Sequence, residues 1–164
     1  MDYQHLSHGF GPVYDERSRV LILGSFPSVK SREENFYYGH AQNRFWPLMA
    51  RLLGAPLPQN PREKRALMLS HGIALWDVIE ECDILGSADS SIKNPVPIDI
   101  RRILDAAEIQ GIFCNGALAY KLYMRSLFPV CGMEAVKLPS TSPANAAFSM
   151  ERLYAQWRQL LDKL

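Results

Sequence analysis

Between residues 36 and 47 the chain places Phe36, Tyr37, Tyr38, His40, Asn43, Arg44, Phe45 and Trp46 in one short segment. Aromatic faces beside neutral amides suit a planar, uncharged heterocycle better than a phosphate or a metal. An apolar run, Val20 to Leu23, and a tight turn, Gly24-Ser25-Phe26-Pro27-Ser28, precede the segment, and a helix follows it. These residues therefore fall at the carboxyl end of a strand, where an open α/β sheet holds its ligand.

Two polar turns flank this cluster. Gly24 to Ser28 lets backbone approach a ligand closely, and also suits a plain strand-to-loop connection. Pro139-Ser140-Thr141-Ser142-Pro143-Ala144-Asn145 carries three hydroxyls and an amide just before a helix. Such a segment can offer hydroxyls and backbone N–H groups to phosphate oxygens, or simply cap the helix. Together with the aromatic segment the two turns make a pocket. Other chemistries lack their residues: there is no dinucleotide fingerprint, Walker loop or serine-nucleophile elbow. His5, His8, His40 and His71 have no metal-ligand spacing, and a glycosidase pair among Glu80, Glu81 and Asp83 is unsupported.

The elements that must position these residues alternate. Val20 to Gly24, Ile73 to Asp77, Gly111 to Cys114 and Ala135 to Leu138 read as buried strands. Helices are expected over 45–53, from Asn60-Pro61 to about His71, from Asp99 to about Glu108, from Asn115-Gly116 to about Phe128, and over 146–164, where Leu153, Trp157, Leu160 and Leu161 point inward. The polar stretch 81–97, with Gly86, Pro95 and Pro97, reads as a long loop. The fold expected is three-layer α/β/α around a mostly parallel four-stranded sheet, one domain over residues 1–164.

Bulk properties narrow the class further. A chain of 164 residues, 48% hydrophobic, sustains one core, and a formal net charge of +1 confines any nucleic-acid surface to a local patch. Cys82, Cys114 and Cys131 are far apart, with no Cys-x-x-Cys pair to suggest zinc or iron–sulfur. A polar N-terminus and the lack of a membrane-length apolar run lead to the expectation of a cytoplasmic protein, nucleoid-associated if bacterial, with nothing demanding more than a monomer.

Gly24-x-x-Pro27 after an apolar strand, followed by Phe36-x-x-x-His40-x-x-Asn43-Arg44-Phe45-Trp46, resembles the uracil-DNA glycosylase superfamily, and is closest there to its mismatch-specific branch. Ser25-Phe26-Pro27-Ser28 and the Leu138 to Asn145 turn look like the hypoxanthine-DNA (deoxyinosine) glycosylase branch. The resemblance implies excision of a flipped base from double- or single-stranded DNA without a metal or organic cofactor. It places Phe36 on the face of that base, and Asn43 as the catalytic residue. Phe26 stands where mismatch-specific and thymine-type relatives carry a water-positioning asparagine, and phenylalanine cannot hold water. The final turn also lacks the histidine of uracil-directed branches, with Leu138 or Ser140 in its place. Asp77 falls where relatives place a polar base-recognition residue, and a carboxylate there can accept the N1–H of hypoxanthine.

The expected base pocket therefore contains Phe36, Phe26, Tyr38, Gly24, Ser25, Asp77 and His40, with Asn43 either positioning water or donating to developing charge. Ser28, Ser140, Thr141, Ser142, Pro143, Ala144 and Asn145 are expected to face DNA, with Ala144 or a neighbour as the wedge. The implied activity is release of hypoxanthine. The alternatives are the same fold acting on uracil or xanthine, or a module that binds nucleic acid or nucleotide without cleaving it.

Overall fold

Residues 2–164 are described by a computed structural model. In chain order the elements are β1 (Gln4–Ser7), β2 (Val20–Gly24), α1 (Val29–Glu34), α2 (Phe45–Leu53), α3 (Pro61–Ser70), β3 (Ile73–Asp77), β4 (Ile79–Ile84) and β5 (Lys93–Pro97), then α4 (Arg101–Leu104), β6 (Gly111–Asn115), α5 (Ala117–Leu122), α6 (Phe128–Cys131), β7 (Ala135–Leu138) and α7 (Met150–Trp157).

Four strands pair in parallel in the order β3-β2-β6-β7. Every residue of β2 and β3 is buried. Side chains alternate between the two faces of a strand, so complete burial means that helices cover both faces. The α/β/α arrangement expected from sequence is therefore the one observed. All four strands point the same way, so the loops after β2, β3, β6 and β7 emerge at one edge.

Residues 81–97 are not a long loop. β4 and β5 form a second, antiparallel sheet with β1, in the order β1-β4-β5. Two register irregularities interrupt the β4–β5 ladder between Ile79 and Asp83. They erase the two-residue alternation that would mark β4 as a strand. Pro95 and Pro97 lie on β5, which ends the sheet, where a strand tolerates the missing N–H.

Helix boundaries also shift, for local reasons. Asp99 accepts from the Arg101 N–H at 3.2 Å as a cap should, yet α4 runs only to Leu104 rather than to Glu108. The helix beginning at Ala117 widens to a π turn over Tyr123–Leu127 and continues as α6 beyond Phe128. Pro129 has no N–H to give to the turn before it, which accounts for the altered pitch. The last helix starts at Met150, not at residue 146, because Ser149 caps it by accepting from the Arg152 N–H. It continues as a 3₁₀ turn over Arg158–Lys163. Leu153, Trp157 and Leu160 are fully buried, and Leu161 packs partly buried beside them. No helix among the described residues is long and apolar enough to cross a membrane.

Candidate active site

The loops at the carboxyl edge of the parallel sheet enclose a cavity of about 560 Å³. Its wall is built from residues 24–28 after β2, from Tyr37, Tyr38, His40 and Asn43 before α2, from Asp77 at the end of β3, from Ser87 to Ser90, from Asn115 at the end of β6, and from Ser140 to Ala144 after β7. Among the expected site residues, Asn43, Phe26, Tyr38, Gly24, Ser25, Asp77, His40, Ser28, Ser140, Thr141, Ser142, Pro143 and Ala144 lie on this wall.

Phe36 and Asn145 do not. Phe36 is buried, stacked on Trp46 at 6.1 Å between centroids and edge-on to Tyr37. The chain turns through left-handed backbone at Asn35 and again at Tyr38, and between these turns Phe36 drops into the core. Asn145 braces its own loop, donating from Nδ2 to the Ser140 carbonyl at 3.0 Å.

The Asn-Arg-Phe-Trp run joins the core to the cavity. Phe45 is fully buried, stacks on Tyr38 at 4.0 Å and meets Trp157 edge-on. The Trp46 indole N–H donates to the Tyr37 carbonyl at 3.0 Å. Arg44 reaches across to the 139–149 loop and donates to the carbonyls of Ser142, Asn145 and Phe148. Its own backbone N–H donates to the Thr141 carbonyl at 3.1 Å. One guanidinium thereby shapes the whole turn.

Asn43 is held by both lone pairs of its amide oxygen. Oδ1 accepts from the Phe45 N–H at 2.9 Å and from the Thr141 hydroxyl at 2.8 Å. The Thr141 hydroxyl in turn accepts from Asn115 Nδ2 at 3.0 Å, and the Thr141 N–H donates to Asn115 Oδ1 at 3.0 Å. The direction of this relay is forced: the Thr141 proton must point at Asn43, because Asn115 already supplies one. Asn43 Nδ2 makes no hydrogen bond among the described residues, and Asn43 is one of the residues that line the cavity. Thr141 is fully buried, so its hydroxyl serves Asn43 rather than a phosphate. Thr141→Val keeps the volume and removes this bond; it is expected to lower activity about tenfold, while Thr141→Ser retains most of it. Single-turnover rates of the two variants check this.

The ring of Phe26 is nearly buried and carries the Arg32 guanidinium 5.9 Å above its face. Arg32 also donates to the Gly86 carbonyl at 2.9 Å, tying the turn after β2 to the loop after β4. On the other side, burial pushes the Tyr38 phenol well above its ordinary range, with the Asp77 carboxylate adding to the shift. Its hydroxyl is buried beside Gly24 and Asn115 without a hydrogen bond of good geometry among the described residues.

Asp77 is 3% exposed, and its Oδ2 lies 2.7 Å from Nε2 of His8, which is 2% exposed. The other nitrogen, His8 Nδ1, bonds the Phe10 carbonyl. Burial alone pushes the His8 imidazole down, but the hydrogen bond and charge of Asp77, with help from Phe10 and Glu80, reverse this and leave it raised above 6.5. A basic group whose folded value exceeds its unfolded one stabilises fully below the unfolded value, and that stabilisation is lost as pH rises through the folded one. Stability is therefore expected to decline above about pH 6.5, and His8→Gln is expected to flatten that slope. Thermal melts across the neutral to alkaline range check it.

His8, Tyr37 and Asn115 carry the site without standing out in the sequence. Asn115-Gly116 reads as a turn, although its place at a strand's carboxyl end marks it. Tyr37 is hidden among its aromatic neighbours; its hydroxyl donates to the Gly11 carbonyl at 3.0 Å. His8 gives no signal, because the strand beside it is itself unmarked. No group of acidic, histidine or cysteine residues among the described residues has the arrangement of a metal site. Burial pushes the Cys82 thiol to about 11, so it is not a reactive thiolate.

Comparison with known proteins places this geometry. The chain is 36% identical over 151 residues to the "Hypoxanthine DNA glycosylase" of Methanosarcina acetivorans, covering 90% of this chain and 93% of that one. It is 33% identical over 141 residues to the "Hypoxanthine DNA glycosylase" of Methanosarcina barkeri, covering 84% and 87%. The solution NMR structure of a candidate uracil DNA glycosylase from Methanosarcina acetivorans superposes with a TM-score of 0.80 at 33% identity, over 93% of this chain and 94% of that one. Residues 12–163 match the family profile described as the uracil DNA glycosylase superfamily, and this chain belongs to that superfamily.

Proposed function

We propose that this protein is a monofunctional DNA glycosylase that acts as a monomer and removes hypoxanthine from deoxyinosine in DNA. The observation that carries the reading is the Asn43–Thr141–Asn115 relay, which occupies the oxygen of a cavity-wall amide and leaves its NH₂ free. The relatives named as hypoxanthine DNA glycosylases supply the substrate.

The target nucleotide leaves the stack at a cost of a few kcal/mol, less when mispaired, and enters the cavity. Phe26, Tyr37 and Tyr38 provide aromatic surface, and stacking on such surface is worth about 1–3 kcal/mol per base. Asp77 Oδ1 accepts the N1–H of the lactam. Ser28, Ser140 and Ser142, with the exposed His40, face the flanking backbone, and Ala144 at the loop tip is the wedge. The C1′–N9 bond then breaks, and its electron pair flows into the purine. Asn43 Nδ2 donates to that developing negative charge. With both lone pairs of Oδ1 already used, the oxygen has none left to accept a hydrogen bond from water, so the amide acts through its NH₂. Water adds at C1′, and the proton it gives up is matched by one taken up through solvent by the departing purine anion, leaving an abasic site and the neutral free base.

The test is a panel of duplexes, each bearing one deoxyinosine, deoxyuridine or deoxyxanthosine, scored for abasic sites. Deoxyinosine is expected to be processed fastest. Faster release of uracil or xanthine reassigns the base, and DNA binding without release from any lesion makes this a binding module.

A further inference from the structure

We propose that Asp89 is a further catalytic residue, the carboxylate that takes the proton of the water attacking C1′. The proposal rests on the reading of the cavity as the place where a flipped nucleotide loses its base.

Hydrolysis needs a proton acceptor beside the sugar, and the side chains of the wall that could serve are Asp77, His40 and Asp89. Asp77 Oδ2 is bonded to His8, and its Oδ1 is engaged by the base edge in that reading. His40 Nδ1 accepts from the Gln42 N–H at 3.0 Å, so the ring carries its proton on Nε2 and has no lone pair left. Burial keeps the phenols of Tyr37 and Tyr38 neutral. Asp89 remains. Its Oδ1 accepts from the Ser25 hydroxyl at 3.2 Å, and its Oδ2 makes no hydrogen bond among the described residues.

Depth separates the two carboxylates. Asp77 is buried at the end of β3, whereas Asp89 is exposed, on the connection between β4 and β5. N9 lies across the purine from N1, so a base that presents N1–H to Asp77 leaves its sugar toward the mouth. C1′ and the attacking water then stand on the side of Asp89. The connection that carries it is fixed before a substrate arrives. Ser91 Oγ accepts from the Leu85 N–H at 2.9 Å and donates to the Ala88 carbonyl at 2.6 Å, and Ser87 Oγ accepts from the Val29 N–H at 2.7 Å. Desolvation raises the proton affinity of the Asp89 carboxyl above that of an ordinary aspartate, the Ser25 bond opposing and the Asp77 charge adding. A carboxylate of raised affinity is the better acceptor.

In the step itself the water oxygen bonds to C1′ while the C1′–N9 electron pair leaves with the purine. The water proton passes to Asp89 Oδ2 and from there to solvent, which returns one to the purine anion.

Single-turnover release of hypoxanthine at saturating enzyme tests this. Asp89→Asn keeps an oxygen for Ser25 but cannot take a proton, and is expected to be about 10²–10⁴-fold slower than wild type. Its affinity for a deoxyinosine duplex should equal or exceed that of wild type, because a negative charge near phosphate has gone. In Asp89→Ala, sodium formate is expected to raise release about tenfold over sodium chloride at equal ionic strength, and to leave wild type unchanged. An Asp89→Asn protein that frees the base at the wild-type rate overturns the role of Asp89, and so does a slow Asp89→Ala that formate does not restore. Wild-type protein that frees no base from any lesion overturns instead the reading on which the proposal rests.

Discussion

Asn43→Ala is expected to slow single-turnover base release by about 10²–10³-fold, the usual cost of deleting one preorganised donor to developing charge. The amide is fixed from two sides, by the Phe45 N–H and the Thr141 hydroxyl, so its NH₂ needs no reorganisation as the bond breaks. Alanine also removes a bond at the start of α2, costing about 1 kcal/mol of stability. Asn43→Asp separates the two effects. Aspartate keeps both acceptor bonds and the fold but offers no donor, and its charge opposes the departing purine. It is expected to be at least as slow as alanine while melting near wild type. An active Asn43→Asp enzyme would mean that the oxygen, and not the NH₂, performs the chemistry.

Gly24→Ala is the second large effect. Gly24 is glycine because of crowding rather than backbone angle: a β-carbon would lie 2.4 Å from Asp77 Oδ1 and 3.2 Å from the Tyr38 hydroxyl. β2 and β3 are paired in register at this point, Gly24 opposite Asp77, so neither strand can retreat. The methyl must displace the carboxylate from its bond to His8, or push the strands apart. Overpacking of this kind costs about 1–3 kcal/mol. The change in activity should be larger, because the displaced group is the one that meets the base: about 10²-fold, comparable to a misplaced catalytic contact. A melt combined with single-turnover rates checks both parts.

The parallel sheet was legible because β2 and β3 are unbroken apolar runs bounded by turn residues, a pattern that buried strands require. β1, β4 and β5 were not, because irregular pairing, acidic residues and edge prolines each remove a strand signal. The same division runs through the site. Asn43 and Asp77 lie at strand ends or in a dense motif, and both face the cavity. Phe36 sits in that motif too, but two left-handed residues send it inward, and backbone handedness at Asn35 and Tyr38 cannot be read from their names. Thr141 looked like a phosphate ligand because hydroxyl-rich turns often are. Only its burial against Asn115 shows that it orients Asn43 instead. His8 entered through tertiary pairing alone, as partners distant in sequence do.

The most direct measurement of the central claim is single-turnover incubation with a duplex carrying one deoxyinosine, the released base being identified by mass. The expected result is free hypoxanthine and an abasic site in an unbroken strand, with release lost in Asn43→Asp. A wild-type protein that binds this duplex but frees no hypoxanthine, or an Asn43→Asp protein that frees it at the wild-type rate, would contradict the account.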